Sequence, residues 1–442
     1  MIKYTWYQDL YTKQTHEYTR RVFNIDKRLG KTWIMLRSAY EHGGCNLIVT
    51  GPNIIKREFI PQLEQEIKPA GLLPADFNIY PVKEYNIDSP VTYITSYQHI
   101  TRNIKEYARI KWNVIYCDES HKLSNVSSKI TQYFVGHRGY PPKLKCNKMF
   151  WFTGTLRPNR WEQVYPMLKM AGAVDYTWSH FLSKFFYNPV PKLIWLRLMR
   201  PGVREELMEL ISTFTTTLVR EDCGISFTGK DFNLVEYDLS PSEREIYDAI
   251  YETGVWDNLI VDNPATKRKY LRNIVGGYLQ HSTRSQFLYT KQQIEEIAPT
   301  RAVITKSLID TLLENQTHIV LFYNFTQELM SLDIPYWLNS KRDDLELWKK
   351  NGGCIGIQYQ SGKEGLTLKE ARTIILYSLP EDFVSYDQAI DRITQRGIEN
   401  NQYYILLAKN SIDNVLYKAL KEKKNINQML ENYCKGNYET PD

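Results

Sequence analysis

A chain of 442 residues, 43% of them hydrophobic and 24% charged, is longer than one hydrophobic core usually supports, so two or three domains of ordinary globular composition are expected. No run approaches the ~20 apolar residues that span a bilayer, and Met1-Ile2-Lys3-Tyr4-Thr5-Trp6 has no signal-peptide core, which sets membrane and secreted classes aside in favour of a cytoplasmic protein. The net charge of +6 permits a polyanionic partner without demanding one, while six cysteines without a Cys-x-x-Cys pair and eight histidines without ligand spacing point away from disulfides and zinc.

The first strand reads as Arg21 to Ile25. Arg28-Leu29-Gly30-Lys31-Thr32 follows it and opens a helical stretch at Trp33. Strand, loop and helix in that order describe a phosphate-binding loop. Backbone N–H groups at a helix N-terminus point at anionic oxygens, Lys31 can place an ammonium between β- and γ-phosphates, and the Thr32 hydroxyl can ligate Mg²⁺. The pattern G-x-x-x-x-G-K-[ST] is partial here: Ile25 stands at its first glycine, and Arg28 fills another position where glycine is common. A Gly-Lys-Thr that merely starts a helix is the plain alternative for the tripeptide alone.

Further strands are expected at Cys45 to Thr50, Val91 to Thr95, Asn113 to Cys117 and Met149 to Thr153, the spacing of a parallel sheet. Asp118-Glu119-Ser120-His121 lies directly behind the fourth of these five runs. An open α/β sheet presents its ligands at the carboxyl ends of its strands, and phosphoryl transfer needs one acid for Mg²⁺ and one to orient water. With the phosphate loop upstream, nucleotide hydrolysis is the leading expectation.

Gly202 to Phe214, Ser240 to Glu252 and Lys267 to Gln280 read as helices, the second with Ser240-Pro241 as cap and first-turn proline. A second βα set follows at Thr317 to Tyr323, Cys354 to Tyr359, Thr373 to Ser378 and Gln402 to Leu407, without a phosphate loop of its own. Between its members lie Gln360 to Leu368 and Gln388 to Gly397. Arg392 and Arg396, four apart on an expected helix, share a face and suit a clamp on a γ-phosphoryl group; a surface pair bonded to Asp387 or Glu399 is the alternative. Ser411 to Glu431 reads as a final helix, with Lys421-Glu422-Lys423-Lys424 a solvated face.

Taken in order, Tyr7-Gln8, Leu29-Gly30-Lys31-Thr32, Ile48 to Pro52, Tyr93 to Tyr97, Cys117 to Asn125, Thr153-Gly154-Thr155, Val320 to Thr326, Gln360 to Leu368 and Gln388 to Arg396 resemble the motif set of superfamily 2 helicases, and within it the Swi/Snf group. Asp-Glu-x-His followed by Lys-Leu-Ser-Asn, Asp238 to Tyr247, and Gln388-Ala389-x-Asp391-Arg392 are its more specific marks. The compactness resembles the small versions carried by bacteriophages, and for such a chain the compartment is the host cytoplasm.

The resemblance implies an α/β fold of two RecA-like parallel-sheet lobes with helical insertions between them: residues 1–175, an insertion at 176–300, and 301–442 with a C-terminal helix. It implies ATP and Mg²⁺ as cofactors, DNA as a sequence-independent partner, and a monomer. Gln8 would read adenine. Arg28, Leu29, Gly30, Lys31, Thr32 and Gly365 would line the nucleotide, Thr32 and Asp118 would hold the metal, and Glu119 would orient water. His121, Thr153, Thr155 and Gln388 would couple the site to its surroundings, and Arg392 and Arg396 would be fingers from the second lobe. Thr50, Pro52, Thr95, Ser96, Asn324, Thr326, Ser361 and Gly362 would meet the DNA backbone. The family usually carries its second finger three residues after the first, where this chain has Gln395. A DNA-stimulated helicase or translocase is the function so implied. The alternatives are a nucleotide-gated binder without turnover, an RNA-directed helicase of the same superfamily, and an assembly factor acting on proteins.

Overall fold

Strands buried on both faces read as continuous apolar runs, and the first sheet is built around such strands. Its members are β1 (Arg20–Ile25), β2 (Asn46–Thr50), β3 (Phe77–Ile79), β4 (Thr92–Ser96), β5 (Lys111–Cys117), β6 (Lys145–Thr153) and β7 (Thr215–Leu218). They lie in the order β3-β4-β2-β5-β6-β1-β7, and every neighbouring pair is parallel. Every residue of β2 and β4 is buried. The computed structural model describes residues 5–67, 77–79, 91–136, 140–154, 156, 161–188, 197–224, 230–257, 259–261, 263–282, 292–297, 300–329, 331–362, 366, 368–394 and 400–436.

Two helices matter for the site. In α1 (Trp6–Glu17), the Gln8 Oε1 accepts a hydrogen bond from the Thr5 N–H at 3.1 Å, closing the first turn. Gly30 precedes α2 (Lys31–His42) in the left-handed region, φ 76°, where a Cβ is costly.

The second sheet contains β8 (Lys230–Tyr237), β9 (His318–Tyr323), β10 (Tyr336–Leu338), β11 (Gly353–Gln358), β12 (Thr373–Leu376) and β13 (Asn401–Ala408). The order is β8-β13-β12-β9-β11-β10, again all parallel. Around it are α3 (Pro241–Glu252), α4 (Pro264–Val275), α5 (Thr300–Leu313), α6 (Phe383–Ile390), α7 (Ile412–Lys421) and α8 (Ile426–Cys434). Ser240 and Glu243 cap α3 reciprocally: the Ser240 hydroxyl accepts from the Glu243 N–H at 3.3 Å, and the Glu243 carboxylate accepts from the Ser240 N–H at 2.8 Å. Arg301, 2% exposed, donates to the Tyr237 hydroxyl at 2.6 Å and pairs with the Asp413 carboxylate, so that α5, β8 and α7 share one buried polar centre. The expected fold class, two RecA-like parallel-sheet lobes, holds.

The chain separates into two compact units, 1–226 and 227–442, at a boundary that falls within the segment expected at 176–300. The reason is pairing: β7 extends the first sheet beside β1, and β8 extends the second beside β13. Two helix expectations are corrected. The helix expected over Lys267 to Gln280 stops at Val275, after which Tyr278–Ser282 pairs with Gln292–Glu296 as a hairpin. The helix expected over Ser411 to Glu431 is two, broken where Lys423 takes φ 52°. Among the described residues no helix is long and apolar enough to cross a membrane.

Candidate functional site

The carboxyl ends of β1, β2, β4, β5 and β6 carry the first-lobe residues that the sequence singled out. At the end of β1 the loop turns through Arg28 and Gly30, both left-handed, at φ 66° and 76°. Arg28 is exposed, and Leu29 is 1% exposed and points into the core. A Cβ on Gly30 would lie 2.3 Å from the Gln8 Nε2, so Gln8 rests directly on the loop, whose left-handed φ of 76° favours glycine here. The Lys31 ammonium is held by the carbonyls of Ile25 at 3.0 Å and Asp26 at 3.3 Å. No carboxylate among the described residues forms an ion pair with it. A cation held by carbonyls at a helix N-terminus is the donor set that a polyphosphate satisfies. Thr32, 8% exposed, is the next residue of α2.

At the end of β5, Asp118 is 4% exposed and held at three points. Its N–H donates to the Val49 carbonyl at 2.8 Å, its Oδ2 accepts from the Thr50 hydroxyl at 2.8 Å, and its carbonyl accepts from the Tyr97 hydroxyl at 2.6 Å. Burial pushes the Asp118 carboxyl up to about 7, with the charge of Glu119 adding and Lys31 and Thr50 opposing. Glu119 sits in a left-handed turn, φ 46°, 3.2 Å from the His121 Nδ1. Burial raises its carboxyl too, but His121, Lys31 and Lys27 more than offset this and hold it well below the usual carboxylate range. Burial and the neighbouring Glu119 charge leave Asp118 short of positive charge although Lys31 opposes them. Mg²⁺ fits that deficit: it binds through one or two carboxylates, a hydroxyl, waters and phosphate oxygens, and so needs no cage of three protein acids, of which the described residues contain none. Thr32 and Asp118 would be its protein ligands, and the ion would supply charge to the phosphate oxygens.

Behind β6, Thr153 is fully buried, and a Cβ on Gly154 would stand 3.6 Å from the Lys31 Nζ, so this strand end abuts the loop. Thr155 lies outside the described residues.

Several expected DNA contacts face inward. Thr50 is fully buried and given to Asp118; the Thr95 hydroxyl is paired with the Tyr107 hydroxyl at 2.9 Å; the Ser96 hydroxyl caps the helix beginning at Tyr97 by accepting from the His99 N–H at 3.1 Å. Pro52 opens a short turn of helix and is partly exposed. In the second lobe the Asn324 amide donates to the Ser378 hydroxyl at 2.9 Å and the Leu379 carbonyl at 2.9 Å. Its N–H and that of Phe325 donate to the buried Glu328 carboxylate at 3.0 and 3.2 Å. Thr326 is exposed and Ser361 partly so. Gly362 is buried, and a Cβ there would meet Ile357 and Phe322 at 2.9 Å, so its place is set by packing against the sheet.

The helix expected to carry Arg392 stops short of it. The helix carrying Gln388 ends at Ile390, whose carbonyl accepts from the Tyr403 hydroxyl at 3.0 Å, and Arg392 lies beyond it with its Nη1 donating to the Leu366 carbonyl at 3.0 Å. Arg396 and Gly365 lie outside the described residues. Gln388 is 7% exposed, and its Oε1 finds no hydrogen-bond donor among the described residues.

The sequence reading gave no role to Tyr97, Glu328 or Arg220. The first two look like core residues in sequence. Arg220 stood in a segment to which no chemistry had been given, and only the pairing of β7 with β1 brings it to the phosphate loop.

Comparison with known proteins gives one family match: residues 82–301 match the SNF2-related domain, and over that stretch the Swi/Snf-like resemblance holds. The pre-mRNA-processing ATP-dependent RNA helicase PRP5 of Candida glabrata is 27% identical over 26% of this chain and 15% of its own length. The DNA repair and recombination protein RAD54B of Gallus gallus is 29% identical over 32% of this chain and 16% of its own. The CHD3-type chromatin-remodeling factor PICKLE of Arabidopsis thaliana is 21% identical over 78% of this chain and 25% of its own. The chain thus spans a quarter or less of these relatives. Among solved structures, the Sulfolobus solfataricus SWI2/SNF2 ATPase core in complex with dsDNA is 17% identical, with 99% of this chain and 94% of that one covered and a TM-score of 0.42.

Proposed function

From a chain that carries an SNF2-related domain over 82–301, we propose an ATP hydrolase, stimulated by DNA, that moves along or remodels DNA. The observation that carries the reading is the meeting of two groups at one sheet edge: Lys31 on carbonyls at the start of α2, and Asp118 and Glu119 behind β5 with opposite shifts. Lys31 and Thr32 hold phosphates and Mg²⁺, Asp118 is the metal's partner, and Glu119, ionised and aimed by its left-handed turn and by His121, orients the attacking water. Gln8, resting on the loop, meets the adenine. Arg392 is the candidate finger from the second lobe. Contacts to the DNA backbone fix position rather than sequence, as a motor on arbitrary sequence requires.

The RNA-directed reading rests on the short likeness to the RNA helicase named above and is weaker, because that match covers 26% of the chain. Steady-state ATP hydrolysis with Mg²⁺, measured with single-stranded DNA, duplex DNA, RNA or none, tests both. One DNA form should raise the rate at least about tenfold, and Glu119→Gln should lose about 10²-fold or more of turnover while still binding nucleotide. Stimulation by RNA alone, or a Glu119→Gln rate equal to wild type, contradicts the proposal.

A further inference from the structure

We infer that Arg220 is a positioning residue for the phosphate loop, a role that rests on the nucleotide site proposed above. Strand β7 runs parallel to β1 and ends beside the loop that leaves it. There the two backbones are stitched together: the Asp26 N–H donates to the Leu218 carbonyl at 3.0 Å, and the Arg220 N–H donates to the Asp26 carboxylate at 3.2 Å. The Arg220 Nε donates to the Lys27 carbonyl at 3.2 Å. From the other side the Lys31 ammonium takes the carbonyls of Ile25 and Asp26. The loop from Ile25 to Lys27 is therefore gripped from within by the residue that meets phosphate and from without by Arg220.

The grip has a purpose in a loop of this composition. It lacks the first glycine of the usual pattern and must pass through a left-handed arginine at Arg28, which costs roughly 1–2 kcal/mol relative to a right-handed conformation. A loop with that strain keeps its phosphate-ready shape only if its neighbours determine it. Tyr11 adds to the same edge, its hydroxyl donating to the Thr217 carbonyl at 3.0 Å. The brace lies at the end of the first unit, so the chain passes from Arg220 to the second sheet at Lys230.

Binding of fluorescent ADP and of a slowly hydrolysed ATP analogue to the full chain tests this without DNA and without turnover. Arg220→Met keeps the aliphatic stem and removes the donors; it should weaken both nucleotides about tenfold, the scale of one charge-assisted hydrogen bond, while the melting temperature without nucleotide stays near that of wild type. Arg220→Lys keeps a donor for the Lys27 carbonyl and should stay within about threefold of wild type. Wild-type affinity in Arg220→Met, or equal losses in Arg220→Lys and Arg220→Met, overturns the inference and leaves the proposed function standing. A wild-type chain that binds neither nucleotide overturns both.

Discussion

Asp118 and Glu119 are neighbours in sequence with opposite charge environments, and the difference lies in what each side chain touches. The Asp118 carboxylate is buried beside the charge of Glu119, with Lys31 and the Thr50 hydroxyl opposing, while Glu119 faces His121, Lys31 and Lys27. Thr50 was expected at a DNA backbone; its buried hydroxyl instead decides which oxygen of Asp118 is left for other ligands. A hydrogen bond to a charged acceptor contributes about 1.5–3 kcal/mol, so Thr50→Val should reduce turnover by roughly ten- to a hundredfold and raise the Mg²⁺ concentration needed for half-maximal rate. Thr50→Ser, which keeps the hydroxyl, should restore most of both. If Thr50→Val loses DNA affinity in the absence of nucleotide and keeps its Mg²⁺ dependence, the hydroxyl serves DNA and the assignment made from its hydrogen bond is wrong. Sequence named the residue type at the right strand end; the direction of the side chain, set by a partner 68 positions away, was not legible.

At the scale of elements, the central strands were legible because burial on both faces leaves uninterrupted apolar runs such as Leu47-Ile48-Val49 and Val320-Leu321-Phe322. The edges were not. Thr215-Thr216-Thr217-Leu218 and Lys230 to Tyr237 are half-exposed and mixed in polarity, and they become strands because β1 and β13 offer them free edges. The end of α6 was likewise hidden, since it depends on the Tyr403 hydroxyl arriving from β13. The contact of α1 with α2 carries a pH signature. The rings of His16 and His42 stack at 4.1 Å, and Lys148 donates to the Thr15 and His16 carbonyls at 3.0 and 2.9 Å. Burial, then the charges of His16 and Lys148, pull the His42 imidazole down to about 4 from its ordinary 6.5, against the hydrogen bond at Thr15 and the charge of Glu41. The unfolded chain therefore takes up this proton first as pH falls, so the contribution is complete above about 6.5 and is lost on the way down to about 4. The imidazole is only half buried, which reduces the loss to about 1 kcal/mol between pH 7 and pH 5. Urea unfolding of the first unit should show it, and His42→Gln should flatten that part of the pH dependence; an unchanged slope in the variant assigns it to other groups.

The molecule as a whole is two cores on one chain, and its proposed chemistry is divided between them. One apolar cluster runs from Val22 to Phe214, the other from Tyr237 to Cys434, and the units meet in sequence at 226 and 227. The phosphate loop, Asp118, Glu119 and Arg220 all belong to the first; Gln388 and Arg392 belong to the second. Nucleotide binding and nucleotide turnover should therefore separate when the chain is cut. Residues 1–226 alone, with a complete parallel sheet and their own core, should bind ADP within a few fold of the full chain. ATP turnover in that fragment should fall by about 10³-fold or more, the contribution of an arginine finger to phosphoryl transfer. Adding 227–442 as a separate chain should restore little at micromolar concentration, because a covalent connection supplies an effective concentration nearer millimolar. Turnover by 1–226 at the rate of the full chain places all of the catalytic groups in the first unit and removes Arg392 from the reaction. Failure of a folded 1–226 to bind ADP means instead that the second unit completes the nucleotide pocket itself, and that the division of labour falls at the binding step and not at the chemical one.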